Sequence, residues 1–319
     1  MQYKVLFKRC LLAIVVMFVV TSLQAQREMK TINDNWEFRK SIDESWESVN
    51  LPHTFNIDAY QQRNYYQGKG FYRRTLVLPE IVAERRYYMK IDAASKAANI
   101  RVNGKEVGSH VGGYTACIVD ITEYIRKENL IEITVDNGRK DITPISADFT
   151  FWGGIYRDVW LISTPKQHFN MSNMGSDGIF ISTPVVNEKR GVLKVKCEVT
   201  NDSHESSILE VRSAIYSPQG KLLQTIKQKQ KLKSGETYIF ENTSGAIESP
   251  DLWSPETPSL YLVKTTLVDP KSGKLLDEKN HKVGFRWFTF DGSKGFFLNG
   301  KSYNCLLYTS PSPRDTERS

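Results

Sequence analysis

The stretch "ANIRVNGKEVG", residues 98–108, decides the fold class. Apolar and polar residues alternate on both sides of Asn103-Gly104, the dipeptide that best suits a two-residue hairpin turn. The same alternation recurs outward in "RYYMKIDA" (86–93), "NLIEITVDN" (129–137) and "RDVWLIS" (157–163). No amphipathic helical pattern of comparable length interrupts them. From Trp36 to Ile162 the chain therefore reads as many short strands, a sandwich or barrel. The cluster "KQKQKLK" (227–233) alternates too, and marks the solvent face of a strand.

A second β segment runs from about Ile179 to Phe285. "GVLKVKCEVTND" (191–202), "SSILEVRSAIYSPQGKLLQTIKQ" (206–228), "ETYIFEN" (236–242) and "SLYLVKTTLVDPKSGKLLDEK" (259–279) supply its strands, with Ser217–Gly220 and Asp269–Gly273 as turns. This length and strand number suit an immunoglobulin-like sandwich. The polar, aperiodic stretch 163–178 reads as the connector. Beyond Gly284, two hairpin turns, at Asp291-Gly292 and Asn299-Gly300, open something new.

The first 25 residues are expected to be a secretory signal peptide. Lys4, Lys8 and Arg9 precede an apolar run from Cys10 to Val20, and Ala25 suits the residue before the cut. The mature protein is then secreted or periplasmic, with no membrane segment. The formal charge of +7 over 319 residues falls to +4 without those three leader cations, because the last fifteen residues are balanced. No arginine-rich stripe is present, so nucleic acid is not a partner. Cys117 and Cys197 are expected as buried apolar fillers, with a disulfide between them the less favoured reading.

Metal-binding His patterns, a Gly-x-Ser-x-Gly elbow, a phosphate loop and a dinucleotide fingerprint are all missing from the sequence. Asn187-Glu188 sits in a charged turn and reads as a hairpin tip. What stands out is aromatic and polar clustering in "LPHTFN" (51–56), "YYQGKGFYRR" (65–74) and "SADFTFWGGIYRDVW" (146–160). Rings stack on sugar C–H faces and fixed polar groups hold hydroxyls, so such clusters suit carbohydrate. Most of the rings, Trp36, Phe71 and Trp160 among them, are expected in the core, and Arg157-Asp158 as an ion pair.

At these stretches, and at "DLWSPETPSLYLVKTTL" and "VGFRWFTFDGSKGFFLNGK", the chain resembles glycoside hydrolase family 2, the family of β-galactosidases, β-glucuronidases and β-mannosidases. The matches come in the family's order over roughly residues 30–304. The resemblance implies an all-β arrangement: a jelly-roll sugar-binding domain at 26–165, an immunoglobulin-like sandwich at 166–286, and the opening of a TIM barrel at 287–304. It implies a retaining mechanism whose two glutamates lie in the barrel, beyond "FFLNGK". This chain would then hold no catalytic residue and hydrolyse nothing alone. The whole protein is expected to be an exported β-glycosidase, β-galactosidase first, with carbohydrate as substrate and a homo-oligomeric state open to it.

Asp148 matches the family's Asp that contacts the sugar and helps hold a monovalent cation. Asn56 matches a second sugar-contacting residue. No cofactor is expected in this chain beyond that cation, with Mg belonging to the full-length protein. Residues 305–315, "CLLYTSPSPRD", equal the translation of a transposase sequencing adapter, so 305–319 are expected to be library sequence, with a natural Pro/Ser-rich tail as the alternative. The rival to the enzyme is a freestanding carbohydrate-binding or adhesive tandem of sandwiches.

Overall fold

A computed structural model describes residues 26–60, 65–142 and 150–303. The leader and the adapter-like tail lie outside these residues. The first sandwich is built from β1 (Glu28–Thr31), β2 (Trp36–Arg39), β3 (Glu47–Val49), β4 (Lys69–Val77), β5 (Arg85–Ile91), β6 (Ala97–Val102), β7 (Lys105–Val111), β8 (Cys117–Asp120), β9 (Glu128–Asp136) and β10 (Val159–Pro165). One sheet has the order β1-β10-β5-β8 and the other β3-β2-β4-β9-β6-β7. Every pairing in them is antiparallel. Alternate residues of both sheets, Trp36, Phe38, Tyr72, Met89, Ile100 and Ile133 among them, close the core between the layers.

The hairpin at the centre of the sequence reading forms in the expected place. Val102 pairs with Lys105, and Asn103 and Gly104 take φ of 52° and 77°, the left-handed pair a two-residue turn requires. Trp36 is buried, whereas Phe71 and Trp160 are only half-buried. Trp160 lies outside the apolar interior because its indole N–H donates to Asp92 Oδ2 at 2.8 Å. Asp158 and Arg157 go to different partners: Asp158 accepts from Asn33 Nδ2 at 2.9 Å, and Arg157 sits 5.9 Å over the Tyr156 ring.

The second sandwich contains β11 (Gln167–Phe169), β12 (Ile179–Val186), β13 (Arg190–Asn201), β14 (Ser207–Tyr216), β15 (Leu222–Leu232), β16 (Glu236–Thr243), β17 (Ile247–Glu248), β18 (Tyr261–Val268) and β19 (Leu275–Val283). β13 is the hub of one sheet, flanked by β11 and β12 and by β16 and β17. The other sheet runs β15-β14-β18-β19. Leu193, Val195, Val211, Val263 and Phe285 fill the space between. The lysines of β15 alternate outward as expected. The connector 163–178 is not wholly irregular: Gln167–Phe169 pairs with Val199–Asn201, so the chain changes sandwich at Lys166. Asn187 sits at the turn between β12 and β13, its side-chain oxygen accepting from the Lys189 and Arg190 amides. Cys117 and Cys197 are buried free thiols, and burial pushes that of Cys197 up to about 12.

The two sandwiches are clasped. Arg27 Nη2 donates to Asp277 Oδ2 at 2.7 Å, with side chains 4% and 0% exposed. Tyr88 Oη lies 2.9 Å from His168 Nε2, and Arg86 reaches both Asp120 and Asp202. After the second sandwich, β20 (Phe288–Asp291), β21 (Gly295–Leu298) and β22 (Lys301–Ser302) form a small sheet. It leaves Phe288 and Phe290 60% and 77% exposed.

Candidate functional site

The aromatic and polar clusters that stood out in the sequence converge at one end of the first sandwich. Residues 51–56, the start of β4, the end of β9 and residues 150–156 meet there. Residues 51–56 and 150–156 form no regular ladder, so their backbone groups need other partners. His53 N donates to Ile155 O at 2.8 Å and Phe55 N to Gly153 O at 3.1 Å. Gly154 permits this approach: it has φ +121°, and a Cβ there would sit 2.5 Å from His53 O.

Asn56 is the centre of that arrangement. Its Nδ2 donates to Phe151 O at 2.8 Å and its Oδ1 accepts from Gly153 N at 2.9 Å. The Thr54 hydroxyl lies 2.8 Å from the same Oδ1. Asn56 is 0% exposed, so its amide faces the 150–154 loop and not the solvent. Asn137, which the sequence reading took only as a strand end, shares the work. Its Nδ2 also donates to Phe151 O, at 2.9 Å, while its Oδ1 accepts from Gly68 N at 2.9 Å. The Tyr65 hydroxyl then accepts from Phe151 N at 2.8 Å. The Asn137-Gly138 dipeptide was the available signal, since Asn-Gly marks a place where a strand yields to a turn.

Beneath the loops, the His53 ring and the Tyr72 hydroxyl are 2.8 Å apart. Burial lowers the His53 pKa, and burial raises that of Tyr72. Both are neutral at ordinary pH and act as a packed hydrogen-bonded pair rather than as proton donors to a ligand. Lys96 Nζ stands 4.4 Å over the Phe151 ring, fixing the other side of the loop.

Asp148 lies outside the described residues, which resume at Thr150. The described stretch that follows it, residues 151–155, is anchored by Asn56, Asn137 and the backbone of 53–55. Among the described residues there is no group of three or more His, Cys, Asp or Glu side chains that could hold a metal ion. No helix among them is long and apolar enough to cross a membrane.

Comparison with known proteins gives this geometry a lineage. Residues 13–165 match the sugar binding domain of glycosyl hydrolases family 2, and residues 177–286 match the family's following domain, described as glycosyl hydrolases family 2. Among solved structures, the chain is similar to a Bacteroides uniformis β-glucuronidase 2 covalently bound to cyclophellitol-6-carboxylate aziridine. The identity is 51%, the TM-score 0.84, and the match covers 88% of this chain and 35% of that one. A β-glucuronidase of Bacteroides fragilis is 32% identical, over 88% of this chain and 41% of its own length. A β-galactosidase of Bacteroides ovatus is 26% identical, over 88% and 34%. The chain thus spans between 28% and 41% of the length of the first curated relatives it matches. With both of its sandwiches matched in the family's order, the chain belongs to glycosyl hydrolases family 2.

Proposed function

We propose that the chain is the amino-terminal part of an exported, retaining β-glycosidase, and that its substrate class is β-glucuronides. The β-galactosidase reading given by the resemblance moves to second place. The observation that carries this is the 51% identity, over 88% of the chain, to a protein described as a β-glucuronidase. That relative's covalent adduct with a carboxylated cyclophellitol aziridine supports a covalent intermediate in the present protein too. The 26% identity to a β-galactosidase is what keeps galactosides as the second reading.

In this reading the first sandwich binds and orients. Asp148 contacts the sugar, and Asn56 works one step behind it, holding the loop in place. Orientation of this kind lowers the barrier without transferring the glycosyl group. The two carboxylates belong to a barrel beyond residue 303, and the exposed Phe288 and Phe290 face is where that barrel packs.

The test is to extend the chain with the remainder of its gene and compare 4-nitrophenyl β-D-glucuronide with 4-nitrophenyl β-D-galactoside. We expect kcat/KM to favour the glucuronide by about 10²-fold or more, because a site built to pair a carboxylate is left unpaired by the galactoside. The chain ending at residue 319 should hydrolyse neither. A preference for the galactoside would restore the second reading. A gene that ends naturally after residue 319 would favour a freestanding carbohydrate-binding protein.

A further inference from the structure

The positive charge of the chain gathers on the outer face of the second sandwich. In the sheet β15-β14-β18-β19, Lys227, Lys229 and Lys231 stand directly opposite Arg212, Glu210 and Ile208, and residues paired in this way share a face. The face continues with Lys264, opposite Ala214, and with Lys282, opposite Leu262. Thr266 and Glu278 complete it. The reverse side of the same strands, Val211, Ile215 and Val263 among it, is the apolar core. Six cations on this face thus meet two carboxylates. That excess of four equals the whole net charge the chain keeps without its leader, so the remainder of the chain is balanced.

Glu210 holds two of these cations in place. Its side chain is 2% exposed and accepts from Arg212 Nε and from Lys229 Nζ, the latter at 3.0 Å, while Arg212 and Lys229 themselves stay 45% and 60% exposed. Each head spends one N–H on Glu210. The guanidinium keeps its two amino groups, and the ammonium its other N–H bonds, for an acceptor outside the chain. A head fixed in advance loses less freedom on binding. Lys264 is paired with Glu278 at 2.9 Å, whereas Lys227, Lys231 and Lys282 have no ion-pair partner among the described residues. Lys227, Lys229 and Lys231 form a straight row with steps of about 7 Å along β15. The row is remote from the rest of the molecule. It lies three strands, about 14 Å, from β19, whose Asp277 holds the first sandwich and whose end leads on to the Phe288 and Phe290 face.

We propose that this sheet face is a docking surface for a linear polysaccharide bearing carboxylates, laid along the lysine row with Arg212 and Lys229 as its fixed contacts. Charge complementarity carries the polyanion, and the straight row on a flat sheet suits an extended chain. Single-stranded nucleic acid fits less well, because its bases need aromatic platforms and the partners of Thr225, Lys227, Lys229 and Lys231 across the ladder are Ala214, Arg212, Glu210 and Ile208. The choice of a glycan among polyanions rests on the functional reading above, in which the bond cut belongs to a sugar acid. The surface would hold a polymer by its length while one end is worked on elsewhere, and raise its effective concentration there.

Biosensor titration of the whole chain over immobilised polygalacturonate, a linear chain of sugar acids, and over immobilised dextran, a neutral polymer, tests it. The polyuronate should bind at least about tenfold more tightly, and its binding should weaken by about threefold or more between roughly 50 and 200 mM salt, as screening shortens the reach of the charges. The double variant Lys227→Glu with Lys231→Glu should remove the advantage over dextran. Both side chains are exposed and unpaired, so the melting temperature should stay unchanged. Lys30→Glu with Lys105→Glu, exposed positions on the first sandwich, makes the same change of net charge and should leave at least about half of the binding. Equal binding of the two polymers overturns the proposal. So does polyuronate binding that survives the β15 variant, or that falls equally in the first-sandwich variant, which would make it an effect of net charge alone. Tighter binding to phosphatidylglycerol vesicles or to a single-stranded oligonucleotide than to polygalacturonate would overturn the glycan assignment. None of these outcomes depends on the glucuronide-to-galactoside ratio of the extended enzyme, so the two readings fail separately.

Discussion

The two sandwiches solve the same problem of strand connection with different polar chemistry. In the second, connections are tight turns that satisfy themselves locally: Ser217 N bonds to Lys221 O, Asp269 N to Lys274 O, and Asn187 N to Arg190 O. Its buried Asn201 spans shorter stretches of chain, donating to Glu205 O and to Lys233 O, 32 residues on, and accepting from Gln167 Nε2, 34 residues back. In the first, Asn56 and Asn137 join irregular loops 95 and 69 residues apart in the chain, at Phe151 and Gly68. Irregular backbone away from water needs such partners. The difference teaches that the first sandwich keeps a loop surface tied together at one end, where binding residues commonly sit, while the second closes its turns on themselves.

The comparison breaks most sharply at the joint between the two. Asp277→Ala should cost roughly 3–5 kcal/mol, because it leaves the buried Arg27 guanidinium uncompensated and frees Phe169 N, which also donates to Asp277 Oδ2. Urea unfolding would show it, and the double replacement Arg27→Met with Asp277→Leu should recover much of the loss. Next comes Asn56→Ala, expected to cost about 1–3 kcal/mol by orphaning Gly153 N and leaving Phe151 O with Asn137 Nδ2 as its remaining side-chain donor. It should also lower kcat/KM of the extended enzyme. Asn201→Ala should destabilise the chain yet leave kcat/KM unchanged; a fall there would erase the functional contrast drawn between the sandwiches.

Smaller still is a pH effect at the joint. His168 is fully buried beside Tyr88, and burial lowers its pKa below the ordinary 6.5, with Asp277 and Asp202 opposing and Arg27 adding to the shift. Its folded pKa is depressed, so the unfolded chain binds the proton more readily. Stability is complete above about pH 6.5 and falls as pH drops from there toward the folded value, by up to about 1.4 kcal/mol per pH unit. Thermal melts across pH 5–8 should show the slope, and His168→Gln should flatten it. Least affected should be Lys194→Ala. The Lys194–Glu241 pair is 2.8 Å long but half in water on both sides, and its removal should not move the melting midpoint measurably.

Strands and hairpins were legible because period-2 alternation and Asn-Gly turns act over a few residues. The Asn103-Gly104 turn needs nothing distant to form. Asn56 shows where that legibility stops. An Asn among aromatic loop residues looks the same whether its amide holds a sugar or another loop, and here its partner comes from 95 residues away. Arg74 illustrates a second limit. In "GFYRRTLVL" an arginine reads as outward-facing, and only the burial of Tyr72 and Leu76 on either side reveals its phase. The strand Gln167–Phe169 was hidden for a third reason: a short strand has too few residues to show a period.

The Arg27–Asp277 clasp also sets an order in time. Its partners are 250 residues apart, so at common synthesis rates Arg27 waits roughly 10–50 s for Asp277 to be made. The first sandwich must hold its own shape during that interval, with its opening strand the least secured part. Any peptide fused directly ahead of Arg27 would stand at this latch as it closes, so a purification tag belongs at the opposite end of the chain or behind a flexible spacer.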